Sequence, residues 1–158
     1  MDAFFASVAQ KDDPSLLGKP VVISSSLDSP TIIAASYEAK ALGYRVGNRF
    51  EPNPKVTRLA ATPNRYMAIS AQIMNLLHQK ITPNIEIYSV DEAFLDMSDQ
   101  KYLYDTVEQI VEKIQMLVQT HIGLPCSIGV ADNKSLAKVA SEYNKPKGVC
   151  IVKPTDNK

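Results

Sequence analysis

The stretch Ile85-Glu86-Ile87-Tyr88-Ser89-Val90-Asp91-Glu92-Ala93-Phe94-Leu95-Asp96-Met97 decides the fold. Ile85 to Ser89 alternates with period two, Ala93 to Met97 does so more loosely, and Pro83-Asn84 supplies a turn in front. These are two strands joined near Asp91-Glu92. Neighbouring residues of a regular strand point to opposite faces, so two adjacent carboxylates can share a cation only at a turn or bulge. The joint is such a place. Hard oxygen ligands suit Mg²⁺, which keeps several waters and is completed by substrate phosphates. Two such ions can activate an attacking hydroxyl and stabilise a leaving oxygen in phosphoryl transfer. The bland alternative is a solvated hairpin turn, because a bare Asp-Glu pair is a weak signal.

Helical spacing flanks the hairpin. Met67 to Gln79 sets Ile69, Ile73, Leu76 and Leu77 on one face. After it, Ser98 or Asp99 opens a helix with Val107, Val111, Ile114 and Val118 on one stripe. Cys126 to Val130 is a strand, Asp132 or Asn133 caps a helix bearing Leu136, Val139, Ala140 and Tyr143, and Val149 to Val152 is a last strand. From residue 66 the order is helix, two strands, helix, strand, helix, strand. That is an α+β, βαββαβ-type sheet with helices on one face, short of its first strand.

Further upstream, Ala3 to Ala9 is helical with Phe4 and Val8 on one face. The β-branched runs Pro20 to Ser24 and Thr31 to Ala34 are strands. Ser36 caps a short helix from Tyr37 to Leu42 that stops at Gly43. Residues 44–65 hold Pro52, Pro54 and Pro63 without a clean period and predict loops and turns.

The 158 residues, 45% apolar and 22% charged, are enough for one domain with its own core. Seventeen basic residues balance seventeen acidic ones, which excludes a uniformly basic nucleic-acid coat. The balance is uneven along the chain. Residues 33–66 carry six basic against two acidic residues, 67–98 one against four, and 132–158 six lysines against three acids. That pattern suits a protein holding polyanions around a carboxylate cluster, and equally a mixed solvated surface. The longest apolar runs fall well short of the roughly 18 residues of a spanning helix, so no membrane segment is expected. Asp2 follows Met1 where a signal would have basic residues, and Cys126 and Cys150 form no ligand pattern, so a reduced cytoplasmic setting and core thiols are expected. His78 and His121 stand alone and read as surface or structural residues.

Tyr88 to Asp96 closely resembles the palm signature of the Y-family (UmuC/DinB-type) translesion DNA polymerases. Met1-Asp2-Ala3-Phe4-Phe5-Ala6-Ser7-Val8, Ala35 to Gly43, and Ser127 to Lys138 with Asn144-Lys145-Pro146-Lys147-Gly148 resemble the same family in the same order. The resemblance implies a palm that starts in residues 1–9 and resumes over 67–158, around a small fingers subdomain at 10–66. It implies that Asp91 bridges two Mg²⁺ ions, with Mn²⁺ as an alternative, and that Glu92 helps hold the ion activating the primer 3′ hydroxyl. The backbone carbonyl of Met1 would be a further metal contact. Phe5 falls at the steric-gate position, where a ring excludes a ribose 2′-OH by clash; as a bare sequence feature it reads as core. Tyr37 and Lys40, three apart on a helix, and Lys145 would bind the dNTP triphosphate. The family more often has arginine at Lys40, so the lysine keeps the charge but cannot form the bidentate fork. Asp2 would be structural or outer-shell.

In the family an aspartate that ligates both metals immediately precedes the position of Met1, so a third carboxylate is not expected here, and metal affinity should suffer. The thumb and the C-terminal DNA-gripping domain are likewise outside the sequence. The expectation is a fragment or a misassigned start, itself weak or inactive. Its parent would extend a primer by nucleotidyl transfer on primer-template DNA, with a processivity clamp or accessory subunits as further partners. The rivals are another palm-type enzyme such as a nucleotide cyclase, and a non-catalytic fragment that binds nucleic acid or a partner.

Overall fold

Val21-Val22-Ile23-Ser24 has no alternation of polarity, and all four side chains are buried. A strand covered on both faces needs that composition. In the computed structural model, which describes residues 1–100, 104 and 106–153, this run is β1 (Val21–Ser24). It is the centre of a three-stranded sheet ordered β2-β1-β3. β2 (Ile32–Ala35) pairs with it antiparallel, and β3 (Thr57–Ala60) parallel. Side chains alternate across the sheet. Val21 and Ile23 cluster with Ala6 of α1 (Phe4–Asp12), Leu16 and Ala34. Val22 clusters instead with Ile32, Ala35, Val56 and Ala39 of α2 (Tyr37–Ala41). Ser36 ties α2 to the sheet, because its Oγ accepts the amide of Ala39 at 3.2 Å and that of Val21 at 3.1 Å. Gly43, at φ +94°, follows α2 with a backbone that a side chain would strain. These elements belong to a unit spanning Ala3–Ala68.

Two expectations are corrected in this unit. β3 lies inside the stretch 44–65, where loops and turns are expected. Thr57-Arg58-Leu59-Ala60 is too short and too mixed to show a period, and it becomes a strand through its non-local pairing with β1. The helix α3 (Pro63–Lys80) opens at Pro63 rather than Met67. Proline is tolerated in a first turn because its missing N–H has no partner there anyway.

The second unit comprises Met1–Asp2 and Ile69–Lys158. Its element order follows the βαββαβ layout short of its opening strand, and its strands pair two by two. β4 (Ile85–Ser89) and β5 (Glu92–Leu95) are antiparallel, and β6 (Ile128–Val130) and β7 (Val149–Ile151) are parallel. Ile69, Ile73 and Leu77 of α3 and Val111, Ile114 and Val118 of α4 (Val107–Ile122) are buried, as their spacing predicts. Val107 itself is exposed. α4 does not open at Ser98 or Asp99. Asp96 Oδ1 takes the Ser98 amide at 2.9 Å and Ser98–Gln100 forms a single 3₁₀ turn, whereas Thr106 caps α4 by accepting the Gln109 amide at 3.3 Å. Asn133, not Asp132, caps α5 (Lys134–Ser141), taking the Leu136 amide at 2.9 Å.

α5 lies backbone-close on β6. A Cβ built on Gly129 would overlap the carbonyl oxygen of Ala137 and the amide nitrogen of Ser141. That approach buries Ala140 and leaves Leu136, Val139 and Tyr143 exposed. Cys126 and Cys150 are free thiols; Cys126 is buried, and burial pushes its thiol up to about 11, while Cys150 is partly buried. His78 and His121 are exposed, with His121 Nδ1 3.0 Å from the Leu117 carbonyl. No helix among the described residues is long and apolar enough to cross a membrane.

Candidate active site

Pairing between β4 and β5 runs Ile85 to Leu95, Glu86 to Phe94 and Ile87 to Ala93, then jumps to Ser89 opposite Glu92. Tyr88 is the extra residue, a bulge of the kind that re-aims side chains. Asp91 sits in the turn and Glu92 opens β5, so the two carboxylates do not diverge as regular strand neighbours do. The Ser89 hydroxyl stands 3.0 Å from Asp91 Oδ1 and 3.5 Å from Glu92 Oε2. Side-chain exposures of 32% and 28% leave both acids reachable by a ligand yet partly screened from water.

A cation already faces Glu92, and the backbone nitrogen of Met1 stands beside Asp91. It donates to the Asp91 carbonyl at 2.7 Å and lies 4.0 Å from Asp91 Oδ2. Lys138 Nζ is bonded to Glu92 Oε1 and lies 3.2 Å from Glu142 Oε1, the oxygen that Lys145 Nζ reaches at 3.0 Å. Burial alone would raise the Glu142 carboxyl; hydrogen bonds from Lys145 and then Lys138 outweigh it and hold the group below its ordinary value. Burial alone would lower the Lys138 ammonium, and its bonds to Glu92 and Glu142 outweigh that and hold it above. Met1, Asp91, Glu92, Lys138 and Lys145 all line one cavity of about 630 Å³ between the two strand pairs.

Two carboxylates joined by a hydroxyl form an all-oxygen donor set, which fits a hard cation such as Mg²⁺ or Mn²⁺ with positions left for water and phosphate. Among the described residues no group of three or more His, Cys, Asp or Glu gathers as a metal site. Asp91 and Glu92 are the candidate donors here, with the Met1 carbonyl as a candidate third oxygen.

The other candidate residues belong to the unit Ala3–Ala68. The half-buried ring of Phe5 stacks on the buried Tyr66, with centroids 4.1 Å apart and planes 15° from parallel, and also packs against the cluster around Val21. Lys40 Nζ lies 4.5 Å over the ring of Tyr37, so the two share a face as their spacing predicts. Asp2 is fully buried in the Asp91 unit, where the Ser127 hydroxyl and the Lys147 amide hold its carboxylate. Sequence reasoning gives no role to Ser89, Lys138 or Glu142. The spacing of Lys138 and Glu142, four apart along a helix, is the signal available for that pair.

Residues 1–142 match the impB/mucB/samB family. DNA polymerase IV of Gluconobacter oxydans (strain 621H) is 38% identical over 163 residues, covering 98% of this chain and 44% of that protein. An insertion ternary complex of Dbh DNA polymerase superposes with a TM-score of 0.87 at 31% identity, over 97% of this chain and 47% of that one. A Y-family DNA polymerase chimera built on Dbh gives 0.86 at 32%, with 97% and 47% covered. The chain thus spans less than half the length of these relatives. A family match that takes in the bulged Asp91-Glu92 hairpin and both units makes the conclusion direct: the chain belongs to the impB/mucB/samB family of Y-family DNA polymerases.

Proposed function

We propose that this chain is the nucleotide- and metal-binding portion of a template-directed DNA polymerase of the translesion class, which joins dNTPs to a primer 3′ hydroxyl. One observation carries the reading: Asp91 and Glu92 converge on the Ser89 hydroxyl at a bulged hairpin tip, in the cavity that Lys145 also lines. The unit that holds Asp91 is taken as palm, and the unit that holds Tyr37 as fingers.

Divalent cations, when bound, supply the charge that activates the 3′ hydroxyl and neutralises the transferring phosphate. Asp91, Glu92 and the Met1 carbonyl would hold them, and the Ser89 hydroxyl, 3.0 Å from Asp91 Oδ1, would help to position that carboxylate. Tyr37, Lys40 and Lys145 would orient the triphosphate, a contribution of positioning and electrostatics rather than covalent chemistry. Phe5, held flat against Tyr66, would close the volume of a ribose 2′-OH. Primer-template DNA is the expected partner, a processivity clamp or accessory subunit a further one, and the cytoplasm the expected setting.

Primer extension by this chain joined to the further length that its relatives have, compared with Asp91→Asn in the same protein, tests this. The substitution should lower extension at least a thousandfold with primer and template both required. Turnover of nucleotide without a primer would favour a cyclase-like enzyme, and extension untouched by the substitution would refute metal-dependent catalysis at this site.

A further inference from the structure

The Lys138 ammonium is seated between two carboxylates, bonded to Glu92 Oε1 and 3.2 Å from Glu142 Oε1. Glu92 thereby offers Oε1 to the lysine and turns Oε2 toward Ser89, whose hydroxyl also lies 3.0 Å from Asp91 Oδ1. Lys138 is therefore close to the very group that is read as a metal ligand, with an alternative seat one helical turn along its own helix axis. We propose that Lys138 is an internal counter-ion of the metal site. It holds Glu92 while the site lacks a divalent cation, competes with that cation by charge, and passes to Glu142 when the cation arrives. The proposal rests on the reading of Asp91 and Glu92 as metal ligands and adds a positioning residue to it.

Magnitudes favour competition over simple bracing. Removing one positive charge within a side chain's length of a dication changes its affinity by roughly tenfold under surface-like screening. Freeing one glutamate side chain changes affinity by only about a few-fold in the opposite direction. Lys145 already shares Glu142 from the other side and tempers its pull on Lys138, and Glu142→Gln removes the seat of both lysines.

The test is Mn²⁺ binding to the full chain, read by the electron paramagnetic resonance of free Mn²⁺. Lys138→Met should bind Mn²⁺ roughly three- to tenfold more tightly, and Glu142→Gln roughly two- to threefold more weakly, because Lys138 then has only Glu92. Lys138→Arg should restore affinity close to that of the unaltered chain. Equal or weaker binding by Lys138→Met overturns the proposal. Glu92→Gln separates the two claims: if it weakens Mn²⁺ binding, the metal reading stands whatever Lys138→Met does, and if it leaves binding unchanged, both fall. A second readout needs no substitution that could unfold the protein. With the lysines ¹³C-methylated, the Lys138 resonance should move on addition of Mg²⁺, and a resonance that stays put while Mg²⁺ binds also overturns the counter-ion role.

Discussion

Ser127 places its hydroxyl 2.8 and 3.0 Å from the two carboxylate oxygens of Asp2, a side chain with no exposure to water. The Lys147 amide adds a bond at 2.8 Å, and the Asp2 amide donates to the Pro125 carbonyl at 3.1 Å. Asp2 thus pins the segment before β6 and the one before β7 to a single point. Asp2→Ala would remove the acceptor of the Ser127 hydroxyl and of the Lys147 amide, and should cost about 2 kcal/mol. Urea denaturation checks it, with Asp2→Asn expected to lose less because one acceptor oxygen remains.

The contact between α5 and β6 depends on the missing side chain of Gly129. Gly129→Ala would force the strand away from the backbone at Ala137 and Ser141. Overpacking of this kind costs about 1–3 kcal/mol. A lowered thermal midpoint is the expected outcome, and an unchanged midpoint would show that the helix can lift at no cost.

Phe5 carries two expectations at once. Its ring is stacked on Tyr66 and packs on the core, so Phe5→Ala should lower stability by about 2 kcal/mol. As a gate it should also relax sugar selection, so that the ratio of ribonucleotide to deoxyribonucleotide incorporation rises at least tenfold. Lost stability with unchanged selection would leave Phe5 a core residue only.

The pair Asp12 and Arg65 sets an acid limit on the unit that contains it. Hydrogen bonds from Arg65, at 2.8 and 2.6 Å, hold the Asp12 carboxyl below its ordinary value. A carboxyl with a lowered folded pKa stabilises fully above its unfolded pKa, about 4, and loses that contribution as pH falls through the folded value. Asp13, held by Ser15, and Asp96, held by Ser98, act in the same direction. Stability should therefore fall below about pH 4, and Asp12→Asn should make the fall shallower while slightly lowering stability at pH 7. An identical slope in the two proteins would contradict the linkage.

Local chemistry explains which parts of this fold the sequence makes legible. Ser36 before α2 and the buried stripe positions of α3 and α4 are properties of a few adjacent residues and are read from them. Before α5 the sequence offers Asp132 or Asn133, and the bond from the Leu136 amide selects Asn133. β3 is not, because Thr57–Ala60 becomes a strand only through β1, more than thirty residues away. The start of α4 is obscured because Ser98 has genuine capping chemistry, which here serves the turn closed by Asp96. At the site, the need for a turn or bulge at Asp91-Glu92 follows from strand geometry alone; Asp91 lies in a turn, and a bulge precedes it at Tyr88. The link from Lys138 to Glu92 joins α5 to β5 and cannot be seen in either segment by itself.

The most direct test of the account is a crystal of the protein soaked with Mn²⁺ and an incoming dNTP, read by the anomalous signal of manganese. The account predicts manganese bound to the carboxylates of Asp91 and Glu92, with the triphosphate reaching the same ions. Manganese elsewhere, with Asp91 and Glu92 turned apart and uncoordinated beside an ordered nucleotide, would contradict it.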